Sequence, residues 1–205
     1  RRMHPGISGF VRVNVYKGLL QDHDSVEDDR PWNQVLKLMD TGQMFSIAMM
    51  DRNQSRFNVL HAFLSTIIAL QYSQELAGSV GIITPYSAQS RLINNILKDI
   101  FGNQKWPVSA ATVHRFQGSE RDTIVFDTVD SFRLRIPGVL LTGSNMEQDQ
   151  RLINVAVTRA KRQLITIANT CYWDDRRLSR GKILRKLLDY LQDKGGRYNF
   201  MENCE

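Results

Sequence analysis

The amino-acid sequence predicts an α/β fold, a mostly parallel sheet with helices on both faces, and three observations support it. Short apolar runs recur at 44–50, 80–84, 108–113, 123–129 and 163–168, each of strand length. Longer segments with apolar residues at helical spacing lie among them, the alternation expected of strands buried on both sides. The chain has 205 residues, which suits one domain with a substantial core.

Taken in order, Phe10 to Tyr16 reads as a strand or as a short helix, because so short a run does not separate the two periods. Gly18 to Arg30 is acidic and polar, hence a surface loop, and Pro31 marks a turn or helix start near Trp32. Met44 to Met50 is a buried strand. A helix from Arg56 to Leu76 follows, with Phe57, Leu60, Leu64, Ile67 and Ile68 at helical spacing and Asn53 or Ser55 as its cap. His61, on or near that apolar face, reads as a satisfied core histidine and not a ligand. Val80 to Thr84 is a strand stopped by Pro85, and Ser87 caps the helix SAQSRLINNILKDI.

Phe101 to Pro107 is a loop. The strands Val108 to Val113 and Thr123 to Val129 bracket a polar connection in which Gly118 permits a positive φ or a close backbone approach. Ser131 to Asp149 is a loop in which LRIPGVLLT can pair as short strands. RLINVAVTRAKRQLIT, Arg151 to Thr166, starts as a helix and passes at once into a strand at Gln163 to Ala168. Asn169 to Ser179 forms a turn carrying Trp173. The last helix, Arg180 to Lys194, buries a stripe of Ile183, Leu184, Leu187, Leu188 and Leu191 and ends at Gly195-Gly196. Residues 1–194 thus make one domain and 195–205 a mobile tail.

Composition narrows the function classes. Hydrophobic content of 42% with 23% charged residues is ordinary for a soluble domain. No apolar run is long enough to span a membrane and RRMHPG lacks a secretory core, so the expected location is intracellular, cytoplasmic or with the nucleic acid. Cys171 and Cys204 have no CxxC partner, and His4, His23, His61 and His114 are scattered, which suggests neither a zinc cluster nor a disulfide framework. The net charge of +6 is a mild excess, but Arg151 to Lys186 holds ten Lys or Arg against Asp174 and Asp175 alone. Such a face meets a phosphate backbone or is simply solvated, and charge alone leaves both open.

The chemistry-bearing stretch is RLINVAVTRAKRQLIT. On a helical wheel Arg151, Asn154, Thr158 and Arg162 share one side, while Arg159 falls among Leu152, Val155 and Ala156. Burying that arginine without an anion would cost several kcal/mol. Either the helix stops just before it, or its guanidinium reaches a carboxylate or phosphate. Two further segments carry polar density beyond what connection needs. In TPYSAQ the Thr84 hydroxyl, the amides beside Pro85 and the Gln89 amide suit a phosphate or sugar of a single strand, and Tyr86 suits a base. HRFQGSERD carries His114, Arg115, Gln117, Glu120 and Arg121.

These motifs, with RRMHPGIS at 1–8, occur in the order found in superfamily 1 helicases of the Upf-like branch, and the chain resembles the second, C-terminal motor domain of that family from Arg2 to about Lys194. The resemblance weakens at 19–38 and 132–149. It implies a RecA-like P-loop NTPase fold, although no GxxxxGK[ST] occurs in this sequence. It also implies that ATP and Mg2+ are held mainly by an upstream RecA-like domain of the same protein, and that this chain alone holds no cofactor and hydrolyses no ATP. By the same resemblance Arg2 and Arg159 are arginine fingers, and Glu120 faces the ribose with Gln117 and Gly118 shaping its turn. Thr84, Pro85, Tyr86, Gln89, Thr112, Asn154 and Thr158 track single-stranded DNA or RNA. Arg1 stands where the family has a tyrosine. The sequence also begins without an initiating methionine, as expected for part of a longer protein. The alternative reading is a non-catalytic nucleic-acid-binding module derived from such a domain.

Overall fold

The computed structural model describes residues 3–16, 18, 30–75, 78–104, 106–116, 118–142, 146–176 and 181–198, with the backbone alone for 146–149. Helices α1 (Pro5–Asn14) and α2 (Trp32–Val35) lead into β1 (Leu36–Asp40). The hairpin β2 (Ala48–Met50) and β3 (Arg56–Asn58) follows, then α3 (Val59–Glu75), β4 (Val80–Thr84), α4 (Ser87–Phe101), β5 (Val108–Thr112) and β6 (Arg121–Asp127). The chain continues through α5 (Val139–Thr142), α6 (Met146–Thr158), β7 (Ala160–Ala168), α7 (Thr170–Asp175), α8 (Ile183–Lys194) and β8 (Gly196–Arg197).

The main sheet has the order β5-β4-β6-β7-β1-β8, and every pairing in it is parallel. Alternate strand residues feed two cores. Ile83, Ile124, Phe126 and Leu164 pack with α1, α6, α7 and α8, whereas Ile82, Val125, Ile165 and Ile167 pack with α3 and α4. The doubly covered parallel sheet of the sequence reading is therefore present, and it is RecA-like.

Several elements differ from the expectations. Phe10 to Tyr16 is helical through Asn14: Pro5 opens α1, and His4 Nδ1 accepts the amide of Gly6, which closes the first turn. Met44 to Met50 is not a strand of the main sheet. Met44 and Phe45 are exposed, and only Ala48–Met50 pairs, antiparallel, with β3. The strand at that place in the sheet is LKLMD, which the sequence reading omitted. Arg56–Asn58 is strand, so α3 starts later than expected, and Asn58 Oδ1, not Asn53 or Ser55, accepts the first-turn amide of His61. Ser55 Oγ instead accepts from Ala88, in the first turn of α4, while Tyr86 holds the N-cap position expected for Ser87.

In the expected loop at 131–149, VLLT forms the short helix α5, Phe132 bridges Ile47, and α6 begins at Met146. Asn169 to Ser179 contains the helix α7, capped by Asn169, whose side chain accepts from the Tyr172 amide. After Lys194, β8 adds a sixth strand beside β1 and Tyr198 is buried, so the segment 195–198 is built into the fold. The expected loop at 19–29 and the end of the tail, 199–205, lie outside the described residues. Among the described residues no helix is long and apolar enough to cross a membrane.

Candidate functional site

A parallel sheet has two unlike edges, and the predicted residues divide between them. Thr84 and Thr112 end β4 and β5 as register partners on the carboxyl edge, and Val113 N donates to Thr84 O at 3.1 Å. Glu120 and Arg159 precede the pair Arg121 and Ala160 that opens β6 and β7, on the amino edge. Residues 113–116 and 118–120 lie between the edges, in turns and without a helix among the described residues. Phe116 pins that crossing onto β4: a Cβ at Gly81 would lie 2.4 Å from its Cζ, so only glycine leaves the ring its seat. Gly118 has φ +90°, the conformation its residue type permits. Gln117 lies outside the described residues.

On the amino edge, α6 stops at Thr158, one residue short of Arg159. Arg159 O accepts from Arg121 N at 2.9 Å, and the β6–β7 register slips between Arg121 and Thr123, a bulge on the strand that carries Lys161 and Arg162. Bulges of this kind re-aim side chains beside sites. The Arg159 Nε is buried and has no hydrogen-bond partner, and among the described residues no carboxylate pairs with its guanidinium. Glu120 is mostly exposed, 3.7 Å from Lys161 Nζ. Burial pushes the carboxyl of Asp122, close by, upward, but the Ser79 amide and hydroxyl together with Lys161 and Arg162 outweigh it and hold it below the usual range. His4 N donates to Lys161 O at 2.8 Å, which seats the start of α1 on this edge. Arg2, two residues upstream, lies outside the described residues. The local excess is cationic, and an orphaned buried N–H in it fits an anion.

The carboxyl edge is closed. Thr84, Pro85 and Gln89 are buried, and Tyr86 is only 6% exposed. Open contact of these four with a strand is therefore not what the structure presents; of the residues expected on this edge, Thr112 is the half-exposed one. The cover comes from the β2–β3 hairpin and residues 128–138. Arg56 Nη1 pairs with Asp130 Oδ2 at 2.7 Å, Gly138 N donates to the same oxygen at 2.6 Å, and Arg56 also lies over the Tyr86 ring. Burial pushes the Asp130 carboxyl up despite Arg56, and burial with Asp130 beside it pushes the Tyr86 hydroxyl well up. For Arg56 burial works against the charge, but Asp130 and Tyr86 turn the net shift upward. A Cβ at Gly138 would meet the Tyr86 hydroxyl at 1.7 Å.

Beneath this cover Asp127, at the end of β6, accepts from Gln89 Nε2 at 2.6 Å, from Val129 N at 2.9 Å and from Ser65 Oγ at 3.3 Å. His61 Nδ1 lies 2.9 Å from the same carboxylate. A carboxylate only accepts, so Nδ1 carries a proton, and Nε2 is hydrogen-bonded to the Thr41 hydroxyl at 2.8 Å. His61 is thus a satisfied core residue. Gln89 further clamps Asn58 through its amide and carbonyl. Val129 is held at φ +67°, a strained setting for a β-branched side chain that the surrounding bonds impose.

Asn154 and Thr158 sit on α6, whose end faces the amino edge, and the structure does not bring them to Thr84 and Thr112. Asn154 Nδ2 donates to Tyr16 Oη at 3.3 Å, and Thr158 Oγ1 donates to Val155 O at 3.3 Å. Sequence reasoning missed Lys161 and the Arg56–Asp130 pair. The first is signalled by the doubled cation after Arg159; the second joins residues far apart in the chain and has no local signal.

The pattern of the family described as AAA domain matches residues 1–171. Helicase sen1 of Schizosaccharomyces pombe is 28% identical over 182 residues, which cover 82% of this chain and 10% of that protein. ATP-dependent helicase upf1 of the same organism is 28% identical over 183 residues, 82% of this chain and 19% of its own length. The crystal structure of the C-terminal domain of a possible DNA helicase from Lactobacillus plantarum shares the fold, with a TM-score of 0.53 at 12% identity over 97% of this chain and 98% of that one. The chain spans a minor part of the curated relatives it matches, and it belongs to the AAA domain family as a helicase domain of the superfamily 1, Upf-like kind.

Proposed function

We propose that this chain is the second motor domain of an ATP-dependent helicase, completing an active site whose other half lies on an upstream RecA-like domain. The observation that carries the proposal is the buried, partnerless Nε of Arg159 on a cationic sheet edge. ATP with its Mg2+, carried by the upstream domain, would supply the phosphoryl chemistry. Arg159 would donate to the transferring phosphoryl group and neutralise its developing charge, with Arg2 as a second donor. Glu120 would accept from the ribose hydroxyls, its neighbours Gln117 and Gly118 setting the approach. Lys161, 3.7 Å away, would orient that carboxylate.

On the opposite edge Thr112 would contact a single strand of DNA or RNA. Thr84, Pro85, Tyr86 and Gln89 would act from beneath, fixing the loop that presents it. Asn154 and Thr158, on α6, would brace the arginine's segment. Domain closure on ATP would then change the strand grip at the far edge. A passive binding module gives the unpartnered Arg159 Nε no duty.

The test is strand-stimulated ATP hydrolysis by the parent protein carrying Arg159→Ala. A loss of roughly 10³ to 10⁵ in rate is expected. Retention of the normal stimulated rate would remove the role assigned to Arg159.

A further inference from the structure

One feature of the carboxyl edge has no part in the function just proposed. The hairpin sets Met49 opposite Phe57, both half-buried. Residues 131–134 flank the free side of β2, where Ala48 N donates to Phe132 O at 3.2 Å. Between them opens a cleft of about 340 Å³ lined by Ala48, Met49, Met50, Phe57, Arg133 and Leu134. That volume is at the low end for small-molecule sites, and a lining with one polar side chain suits a flat heteroaromatic group better than a polar cofactor.

Charge identifies the rest of the occupant. Arg52, Arg133 and Arg135 are exposed, and among the described residues none pairs with a carboxylate. The acids nearby are engaged, Asp51 with Arg91 and Asp130 with Arg56. Arg133, on the cleft wall, is held at φ +76°, a conformation uncommon outside glycine and worth its cost mainly at ligand clamps and switches. An apolar slot with an aromatic wall beside uncompensated arginines matches a group that is both a ring and an anion. The hairpin also sits against the start of α4 through Ser55, and α4 follows Thr84, the register partner of Thr112.

We propose that this cleft holds one unstacked nucleobase of the single strand, with the Phe57 ring as stacking surface, Met49 and Met50 as walls, and Arg133 on the flanking phosphate. The proposal rests on the strand-binding function above. Base–aromatic stacking is tolerant of sequence, so the site would grip the strand and not read it.

The experiment is fluorescence anisotropy of the parent protein with oligothymidine, oligouridine and an abasic strand of equal length. Phe57→Leu keeps the apolar volume and removes the π face. It is expected to weaken the base-bearing strands about five- to a hundredfold and to leave the abasic strand unchanged. Arg133→Gln should weaken all of them and lower the salt slope by about one. Should Phe57→Leu unfold the protein, Met50→Ala, at a side chain 52% exposed, trims the same wall without adding charge and is expected to act on the same strands in the same direction. Wild-type affinity in both apolar variants, or equal losses on abasic and base-bearing strands, overturns the cleft assignment while strand binding stands. A wild-type protein that binds no strand overturns both.

Discussion

The two edges of the sheet are built from the same residue types to opposite ends. The carboxyl edge buries its charges and satisfies most of them: Asp127 takes four donors, and Asp130 is paired with Arg56 under a covering segment. The amino edge leaves its cations exposed or half-buried, with Arg159 Nε unanswered and Glu120 in loose contact with Lys161. Polar groups that complete one another hold a shape, whereas polar groups left incomplete wait for something from outside. In this domain stability is concentrated at the first edge and readiness for a ligand at the second.

That separation is easiest to break at its extremes. The loss of ATP hydrolysis expected for Arg159→Ala should come with a urea midpoint shift worth no more than about 0.5 kcal/mol. A destabilisation of several kcal/mol would make the amino edge structural as well. Asp127→Ala should do the reverse. It strips Gln89, Ser65, the Val129 amide and His61 of a shared acceptor inside the fold, at about 3–5 kcal/mol in chemical denaturation.

A smaller effect tests the cover itself. Gly138→Ala should cost about 1–3 kcal/mol, because the new methyl meets the Tyr86 hydroxyl and the segment has to lift. Tyr86→Phe removes a buried hydroxyl that has no hydrogen-bond partner, so alone it should be near neutral. Combined with Gly138→Ala it should recover part of the loss, and strict additivity in the double-mutant cycle would deny the contact.

The smallest effect is in pH. Asp122, lowered in the fold, stabilises above the ordinary carboxyl value near 3.9, and that contribution is lost as pH falls through its folded value. Asp130, raised by burial, has the opposite sign: its contribution is present below about 3.9 and is lost as pH rises through its folded value. Carboxyl NMR titration should therefore place the two on opposite sides of 3.9, and Asp122→Asn should flatten the acid limb of the stability profile. Coincident midpoints would erase the electrostatic contrast between the edges.

Much of the fold was legible in the sequence, because buried parallel strands such as Val80–Thr84 carry their signal within five residues. β1 was not. LKLMD follows a one-turn helix with no intervening loop and carries a lysine, so nothing local marks its start. The candidate site was half legible. Arg159 stood out as a cation among apolar neighbours, and its partnerless Nε agrees with that oddity. Thr84, Tyr86 and Gln89 read as a binding set because polar residues after a strand look alike whether they meet solvent or a covering segment. The cover comes from residues 48–58 and 128–138, and no spacing within TPYSAQ reveals it.

The crossing from Thr112 to Glu120 has a mechanical consequence. Its described part is turned and not extended, Phe116 N donating to Thr112 O and Ser119 N to Phe116 O, and the Phe116 ring is seated over Gly81. A connection coiled in this way and seated at one ring has length in reserve, so one end can shift without dragging the other. What joins the two edges is the ring wedged on β4, a hinge pin and not a cable.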